Sequence, residues 1–306
     1  MLLVTSKAML QTAREGHFAV GAFNANNMEQ IQGIIEAAAE EHAPVILQVS
    51  QGAIRYAGLE FATAMVRAAA ALVDIPVVLH LDHGTDFDQN VLCLRAGFTS
   101  LMFDGSKKAY EENVATTARV VAIAHVCGIP VEAELGQVLQ STSGITQEDI
   151  KRAMTNPEQA LDFVTRTGCD SLAVAAGSVH AMKSAQASLD IERIKAVAAR
   201  ISIPLVLHGS SGVKEESEVE AIQYGIAKIN VATLLNQGFM NALREAVAAD
   251  TQDSDPRKYL VKSRDAVKEI VRHKLRLFGS SNTVTAGGFI SPKTQHRSVD
   301  LGGTEE

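Results

Sequence analysis

The sequence predicts an α/β protein, a single (β/α)8 TIM barrel with a C-terminal helical extension, and three observations carry that reading. Eight short apolar runs alternate with segments of helical spacing. Most runs are announced by the same punctuation, a helix end followed by Gly or Pro. Nearly every run ends on a polar residue, as a barrel that collects all its strand ends in one ring requires. A doubly wound open sheet, the weaker alternative, would concentrate such residues at one switch point.

Taken in order, the runs are Val20 to Phe23, Val45 to Val49, Val77 to Leu81, Ser100 to Phe103, Val131 to Leu135, Ser171 to Ala175, Leu205 to Leu207 and Ala227 to Val231. Helical patterns lie between them, among them Met28 to Glu41, Glu60 to Leu72, Glu111 to His125, Pro157 to Thr167 and Ile191 to Arg200. Ala43-Pro44, Ile75-Pro76, Ala96-Gly97, Gly128-Ile129-Pro130, Thr167-Gly168, Ile203-Pro204 and Tyr224-Gly225 mark the transitions. Gly suits the left-handed residue that closes a helix, and Pro cannot continue one. The run ends deliver, in turn, Asn24, Ser50, Asp82 with His83, Asp104 with Ser106, Glu134, His180, His208, and Asn230 with Thr233. The third run organises the rest: its near-continuous apolar residues after Pro76 read as a strand buried on both faces. Neighbouring strand residues face opposite ways, so Asp82 and His83 can share a task only where that strand gives way to a loop.

Two segments fall outside the repeat. The connection from Gly136 to Asn156 is long for a βα loop and rich in Gln, Ser and Thr, the profile of a lid or a disordered excursion. Arg257 to Leu277 reads as a further helix with Tyr259, Leu260, Ala266, Ile270, Val271 and Leu275 on one side. Residues 1–282 thus form one barrel unit including that helix, and 283–306 a polar, flexible tail.

Composition narrows the function classes. A formal charge of -7 and few aromatics argue against a nucleic-acid surface, which needs basic stripes or stacking platforms. No run reaches membrane-spanning length, and the first residues lack a signal peptide's basic segment and apolar run. Cys93, Cys127 and Cys169 are odd in number and scattered, as in a reduced, cytoplasmic protein.

Three histidines, His83, His180 and His208, follow three separate runs. Any one alone reads more simply as a hydrogen-bonded structural residue, but three converging imidazoles suit a catalytic zinc with an open fourth position. His80, inside its strand, reads as a packing histidine. His208-Gly209-Ser210-Ser211-Gly212 forms a strand-to-helix turn whose N–H groups can face an anion. Its pairing with Asn230-Val231-Ala232-Thr233 matches the phosphate site that the seventh and eighth strands of such barrels commonly build. The alternative for Asn230 and Thr233 is capping of the helix that begins near Leu234.

At these residues the chain resembles the class II, metal-dependent ketose-bisphosphate aldolases, the fructose- and tagatose-bisphosphate aldolase family. The resemblance rests on Gly21-Ala22-Phe23-Asn24, Leu81-Asp82-His83-Gly84, Gly97-Phe98-Thr99-Ser100, Glu132-Ala133-Glu134-Leu135-Gly136, Gly177-Ser178-Val179-His180, Leu205 to Gly212, Lys228 to Thr233, Asp255 to Leu260 and Phe278 to Asn282. These segments run in family order across most of the chain.

The resemblance implies a zinc-dependent lyase that reversibly cleaves fructose 1,6-bisphosphate or tagatose 1,6-bisphosphate to dihydroxyacetone phosphate and glyceraldehyde 3-phosphate. It implies His83, His180 and His208 as Zn2+ ligands and Asp82 as the group that moves the proton on the C4 oxygen. Asp104 and Glu134 match a secondary site for a second divalent or a monovalent cation. Asn24, Ser50, Ala181, Lys183, Gly209, Ser211, Asn230 and Thr233 match substrate and phosphate positions, and Arg257 an arginine offered to the neighbouring subunit of a homodimer or homotetramer.

Some residues depart from the family pattern. Thr142 stands where the family's mobile loop carries a glutamate, and a hydroxyl cannot replace a carboxylate base near neutral pH. Glu148 or Asp149, later in the loop, are the available substitutes. Ala181 and Lys183 replace the usual glycine and tyrosine after the second histidine, and Ala232 leaves the sugar epimer open. Two alternatives follow: a paralogue acting on another phosphorylated sugar, or a non-catalytic protein that binds metal and sugar phosphate.

Overall fold

The computed structural model describes residues 3–141, 145–182 and 186–285. After α1 (Ser6–Glu15), the chain alternates β1 (Val20–Asn24), α2 (Met28–Glu40), β2 (Val45–Ser50), α3 (Gln51–Ala57), α4 (Leu59–Ala70), β3 (Val77–Asp82), α5 (Phe87–Ala96), β4 (Leu101–Phe103) and α6 (Tyr110–Val126). It continues with β5 (Val131–Leu135), α7 (Gln147–Ala153), α8 (Pro157–Thr167), β6 (Ser171–Val174), α9 (Ile191–Ala198), β7 (Leu205–Leu207), α10 (Glu215–Ile222), β8 (Ile226–Val231), α11 (Thr233–Ala249) and α12 (Pro256–Leu277). All ladders are parallel, in the order β3-β2-β1-β8-β7-β6-β5-β4. Isolated parallel bridges His80↔Ser100 and Gly84↔Phe103 join the two outer strands, so the sheet closes on itself as the alternating pattern predicted.

Local chemistry sets the helix starts. Asn27, Ser50, Asp86, Asn156, Asp190 and Asp255 each accept a first-turn N–H, and Pro157 and Pro256 follow two of these caps. Gly97 and Gly168 close α5 and α8 in left-handed backbone.

Two apolar layers result. The larger lies between the strands and the surrounding helices, and the smaller fills the N-terminal end of the barrel. There Met9, Leu10 and Ala13 of α1 cover Val20, Ala22, Ile46 and Val78. Above this plug the barrel interior turns polar, because Gln48, His80, Asp82, Glu132, Glu134, Lys228 and Asn230 are all buried. The alternation within each strand sends the remaining apolar residues outward to the helices.

Two expectations change. The connection after β5 is not one open excursion: α7 lies within it, closed at its start by a reciprocal Thr146–Asp149 capping box. Gln137 N–H also donates to Ala153 O over 2.8 Å, which ties the two ends of the loop together. The buried stripe of α12 is Ser263, Val267, Val271, Lys274 and Leu275. Tyr259 and Ala266 are only partly covered. The stripe meets α2 at Gly33, where a Cβ would lie 2.7 Å from Arg264 O, so the close crossing needs glycine. The chain stays attached past residue 282, with Thr283 buried and Val284 N–H donating to His42 O over 3.0 Å.

Lys274 enters the core because Glu218 of α10 is there to meet it, 2.8 Å away and fully buried. Burial outweighs that ammonium and pushes the Glu218 carboxyl up to about 7. A folded-state value above the unfolded one gives stability that is complete below about pH 4.5 and lost as pH rises through 7. Thermal unfolding between pH 5 and 8 should therefore show a fall of up to about 3 kcal/mol that Glu218→Gln removes.

Candidate active site

At the C-terminal end of the barrel the strand ends surround a cavity of about 430 Å3. Asn24, Ser50, Asp82, His83, Asp104, Glu134, His180, Ala181, Gly209, Ser211, Asn230 and Thr233 all line it. His208 sits beneath its floor, fully buried. Arg257 is outside: its side chain is 89% exposed and its Nη2 lies 2.7 Å from Asp255 Oδ2. Lys183 and Thr142 lie outside the described residues.

The third strand resolves the facing problem posed by Asp82 and His83. Asp82 is the last residue of β3, and His83 takes left-handed backbone with φ 49°, which turns the chain so that both side chains border one space. Gly84 follows because a Cβ there would meet Met102 O at 2.6 Å. Asp82 is held by two amides: Asn24 Nδ2 donates to Oδ2 over 2.7 Å, and Asn230 Nδ2 to Oδ1 over 3.3 Å. Gln48 Nε2 donates in turn to Asn24 Oδ1 over 2.6 Å, which fixes the way that amide points. Asn24 and Asn230 therefore position a carboxylate, a task beyond the substrate contact expected of them. Burial disfavours the charge on Asp82, but His83, His208, Lys228 and Asn24 together hold its pKa below the usual value.

The three imidazoles converge: one ring nitrogen from each of His83, His180 and His208 lies within 4.8 Å of the other two. Their neighbours set the proton positions. His83 Nδ1 is 2.8 Å from Asp104 Oδ2, and His208 Nε2 is 2.8 Å from Glu132 Oε1. Each carboxyl is held well below its ordinary pKa despite burial, Asp104 by His83 and Ser106, Glu132 by Lys228, His208 and His80. As carboxylates they can only accept, so those ring nitrogens carry the protons. His83 Nε2 stands 3.2 Å from the His208 Nδ1 lone pair, near enough to donate to it while His83 is protonated. Nitrogens sharing one tetrahedral zinc stand roughly 3.3 Å apart, so a cation that displaced that proton would meet a matching spacing.

Two further observations fit a cation here. Burial works against a charged His83, yet Asp82, Asp104 and Glu134 raise its pKa to about 10, so the site draws in positive charge. His180 goes the other way, to about 3, through burial and the neighbouring rings, and stays neutral. Glu134 Oε2 is buried with no hydrogen-bond partner among the described residues, 3.6 Å from His208 Nδ1 and 3.9 Å from His83 Nδ1. Together with His83 and Asp104 it forms a second group able to hold an ion.

The anion end is built differently. The N-cap of α11 is Ala232, with no side-chain cap bond, so Asn230 and Thr233 are free of the capping role that was their alternative. Ser211 Oγ instead accepts from Leu234 N–H over 3.2 Å, which joins the turn after β7 to the start of α11. A helix N-terminus at the cavity edge favours a phosphate. Ser50 Oγ accepts the α3 cap bond from Ala53 N–H at 3.2 Å and keeps its own proton to donate. Ala181 takes φ 60°, the left-handed region where a glycine is unstrained.

Sequence reasoning passed over Glu132, Lys228 and Gln48, which sit below the cavity, and Thr85, Lys107 and Gln140, which border it. Glu132 and Lys228 had a signal: a charge inside an apolar run, with Glu132 two residues from Glu134 and so on the same face. Asp149 and Glu148 do not border the cavity; Asp149 is taken up by the α7 capping box.

The chain matches the family model described as fructose-bisphosphate aldolase class-II over residues 4–283. It is 45% identical over 285 residues to a probable fructose-bisphosphate aldolase of Bacillus subtilis, covering 92% of this chain and 99% of that protein. It is 41% identical over 302 residues to a fructose-bisphosphate aldolase of Thermus caldophilus, covering 91% and 99%. Among solved structures, the YdjI aldolase of Escherichia coli K12 superposes with a TM-score of 0.81 at 37% identity, covering 92% of this chain and 99% of that one.

Proposed function

The chain belongs to the class II fructose-bisphosphate aldolase family, and on that premise we propose that it is a zinc-dependent ketose-bisphosphate aldolase. It cleaves fructose 1,6-bisphosphate or its tagatose epimer to dihydroxyacetone phosphate and glyceraldehyde 3-phosphate. The observation that carries this reading is the convergence of three imidazole nitrogens, two of them 3.2 Å apart, with Asp82 Oδ1 3.9 Å from one of them.

His83, His180 and His208 would hold the metal, with Asp104 and Glu134 available to a second cation. When bound, the metal supplies Lewis-acid polarisation of the substrate carbonyl. In the cleavage direction Asp82 takes the proton from the C4 hydroxyl as the C3–C4 bond breaks and its electron pair moves towards C2. C4 leaves as the aldehyde, and C3 of the remaining three-carbon enediolate later receives a proton. Asn24 and Asn230 keep Asp82 aimed for this task, and the charge of the neighbouring His83 keeps it ionised. Gly209, Ser211, Thr233 and the start of α11 would receive one phosphate, and Ser50 the other.

The enzyme would act in the cytoplasm as a homodimer or homotetramer in which Arg257, exposed and joined only to Asp255 among the described residues, reaches a neighbour's phosphate. A second reading, cleavage of another phosphorylated ketose, is favoured by Thr142 at the loop-glutamate position.

Metal analysis with a cleavage assay on both bisphosphates tests the proposal. Zinc bound near one per chain and activity abolished by chelator and restored by Zn2+ are expected. Chelator-resistant cleavage would refute the metal role, and zinc binding with no cleavage of either epimer would favour the second reading.

A further inference from the structure

Beneath the imidazoles, a line of buried polar side chains runs down the barrel and does not border the cavity. Glu132 accepts from His208 Nε2 on Oε1, while its Oε2 lies 2.8 Å from Lys228 Nζ. Lys228 Nζ stands 3.5 Å from His80 Nε2, His80 Nδ1 is 2.8 Å from Ser100 Oγ, and Ser100 Oγ is 2.8 Å from Ser6 Oγ on α1. Glu132, Lys228 and His80 are each at most 2% exposed. Lys228 donates to His80 Nε2 on one side, and on the other meets Glu132 Oε2 as an ion pair without a hydrogen bond's alignment.

Stability alone does not account for this pair. Taking an ammonium and a carboxylate out of water costs several kcal/mol each, and packed apolar residues often serve a core as well or better. What the ammonium adds is orientation. With Oε2 drawn by charge to Lys228, rotation of the carboxylate about its last bond is opposed, and Oε1 is kept on His208 Nε2. That contact places the His208 proton on Nε2 and leaves the Nδ1 lone pair towards His83. Outer partners of this kind set the tautomer and angle of a ligating imidazole.

We infer that Lys228 is a positioning residue for the metal site, acting through Glu132 on the tautomer and ring angle of His208 without touching substrate. The inference rests on the reading of the three imidazoles as metal ligands.

Wild type, Lys228→Met, Glu132→Gln and the double variant would be prepared as apo-proteins, checked for fold by circular dichroism and titrated with Zn2+ against a chromophoric chelator. Each single variant is expected to bind zinc about 10–100-fold more weakly. The double variant should match the weaker single variant within about twofold, because both changes break one connection. A folded Lys228→Met protein that binds zinc as wild type does, or losses that multiply in the double variant, would overturn the inference. Should Lys228→Met fail to fold, the double variant removes both buried charges and is compared with Glu132→Gln: equal affinity supports the inference, and wild-type affinity or a further tenfold loss overturns it. Failure of the wild type itself to bind zinc would instead remove the reading of the site.

Discussion

His208→Ala is expected to strip the protein of bound zinc and to lower kcat/KM by at least about a thousandfold on whichever bisphosphate the wild type cleaves. His208 is fully buried, so its ring reaches nothing but the site and the groups behind it. Its removal takes away one of three converging nitrogens and the lone pair that faces His83 Nε2 at 3.2 Å. It also strands Glu132 Oε1, whose hydrogen-bond partner is His208 Nε2. Several kcal/mol of charge stabilisation at the carbonyl disappears with the metal, and a thousandfold corresponds to about 4 kcal/mol. Metal analysis and a coupled cleavage assay on the same preparation check the result. A variant that keeps both zinc and turnover would show that His208 is a structural residue.

Asp82→Asn separates proton transfer from metal binding. The side chain keeps its shape and can still accept from Asn24 Nδ2, whose direction Gln48 sets. It can no longer take a proton, so turnover should fall about 10^2–10^4-fold while zinc content and melting temperature stay near the wild-type values. If zinc is lost along with turnover, Asp82 belongs among the ligands and its assignment as the acid/base fails. The expected split exists because Asp82 meets the metal cluster only at 3.9 Å, through His83 Nε2.

These two residues were readable before any coordinates because chain order already placed them at run ends: a buried parallel strand reads as a largely apolar run, and both follow the last apolar residue of theirs. The eight strands, the caps at Asn27, Ser50, Asp86, Asn156, Asp190 and Asp255, and the pool of polar residues at the C-terminal ends follow from such short-range rules. A helix start hidden in a polar loop is harder to see. Thr146 and Asp149 stand three apart and cap α7 reciprocally, but the stretch around them lacks the apolar period that signals a helix.

Sequence by itself determined the strand and helix alternation, the end of the barrel where the polar residues pool, and which three imidazoles and which carboxylate come together there. Tertiary structure alone decided how they are wired. Glu132 of β5, Lys228 of β8 and His80 of β3 meet only because the sheet closes and turns the same face of three distant strands inward. Likewise the backbone at His83 is left-handed, Asn24 and Asn230 serve Asp82, and α12 buries Val267 and Lys274 where a period count favoured Tyr259 and Ala266. The reason is range: periodicity records which residues share a face of one element, whereas hydrogen-bond partners and proton positions depend on which faces of different elements come together.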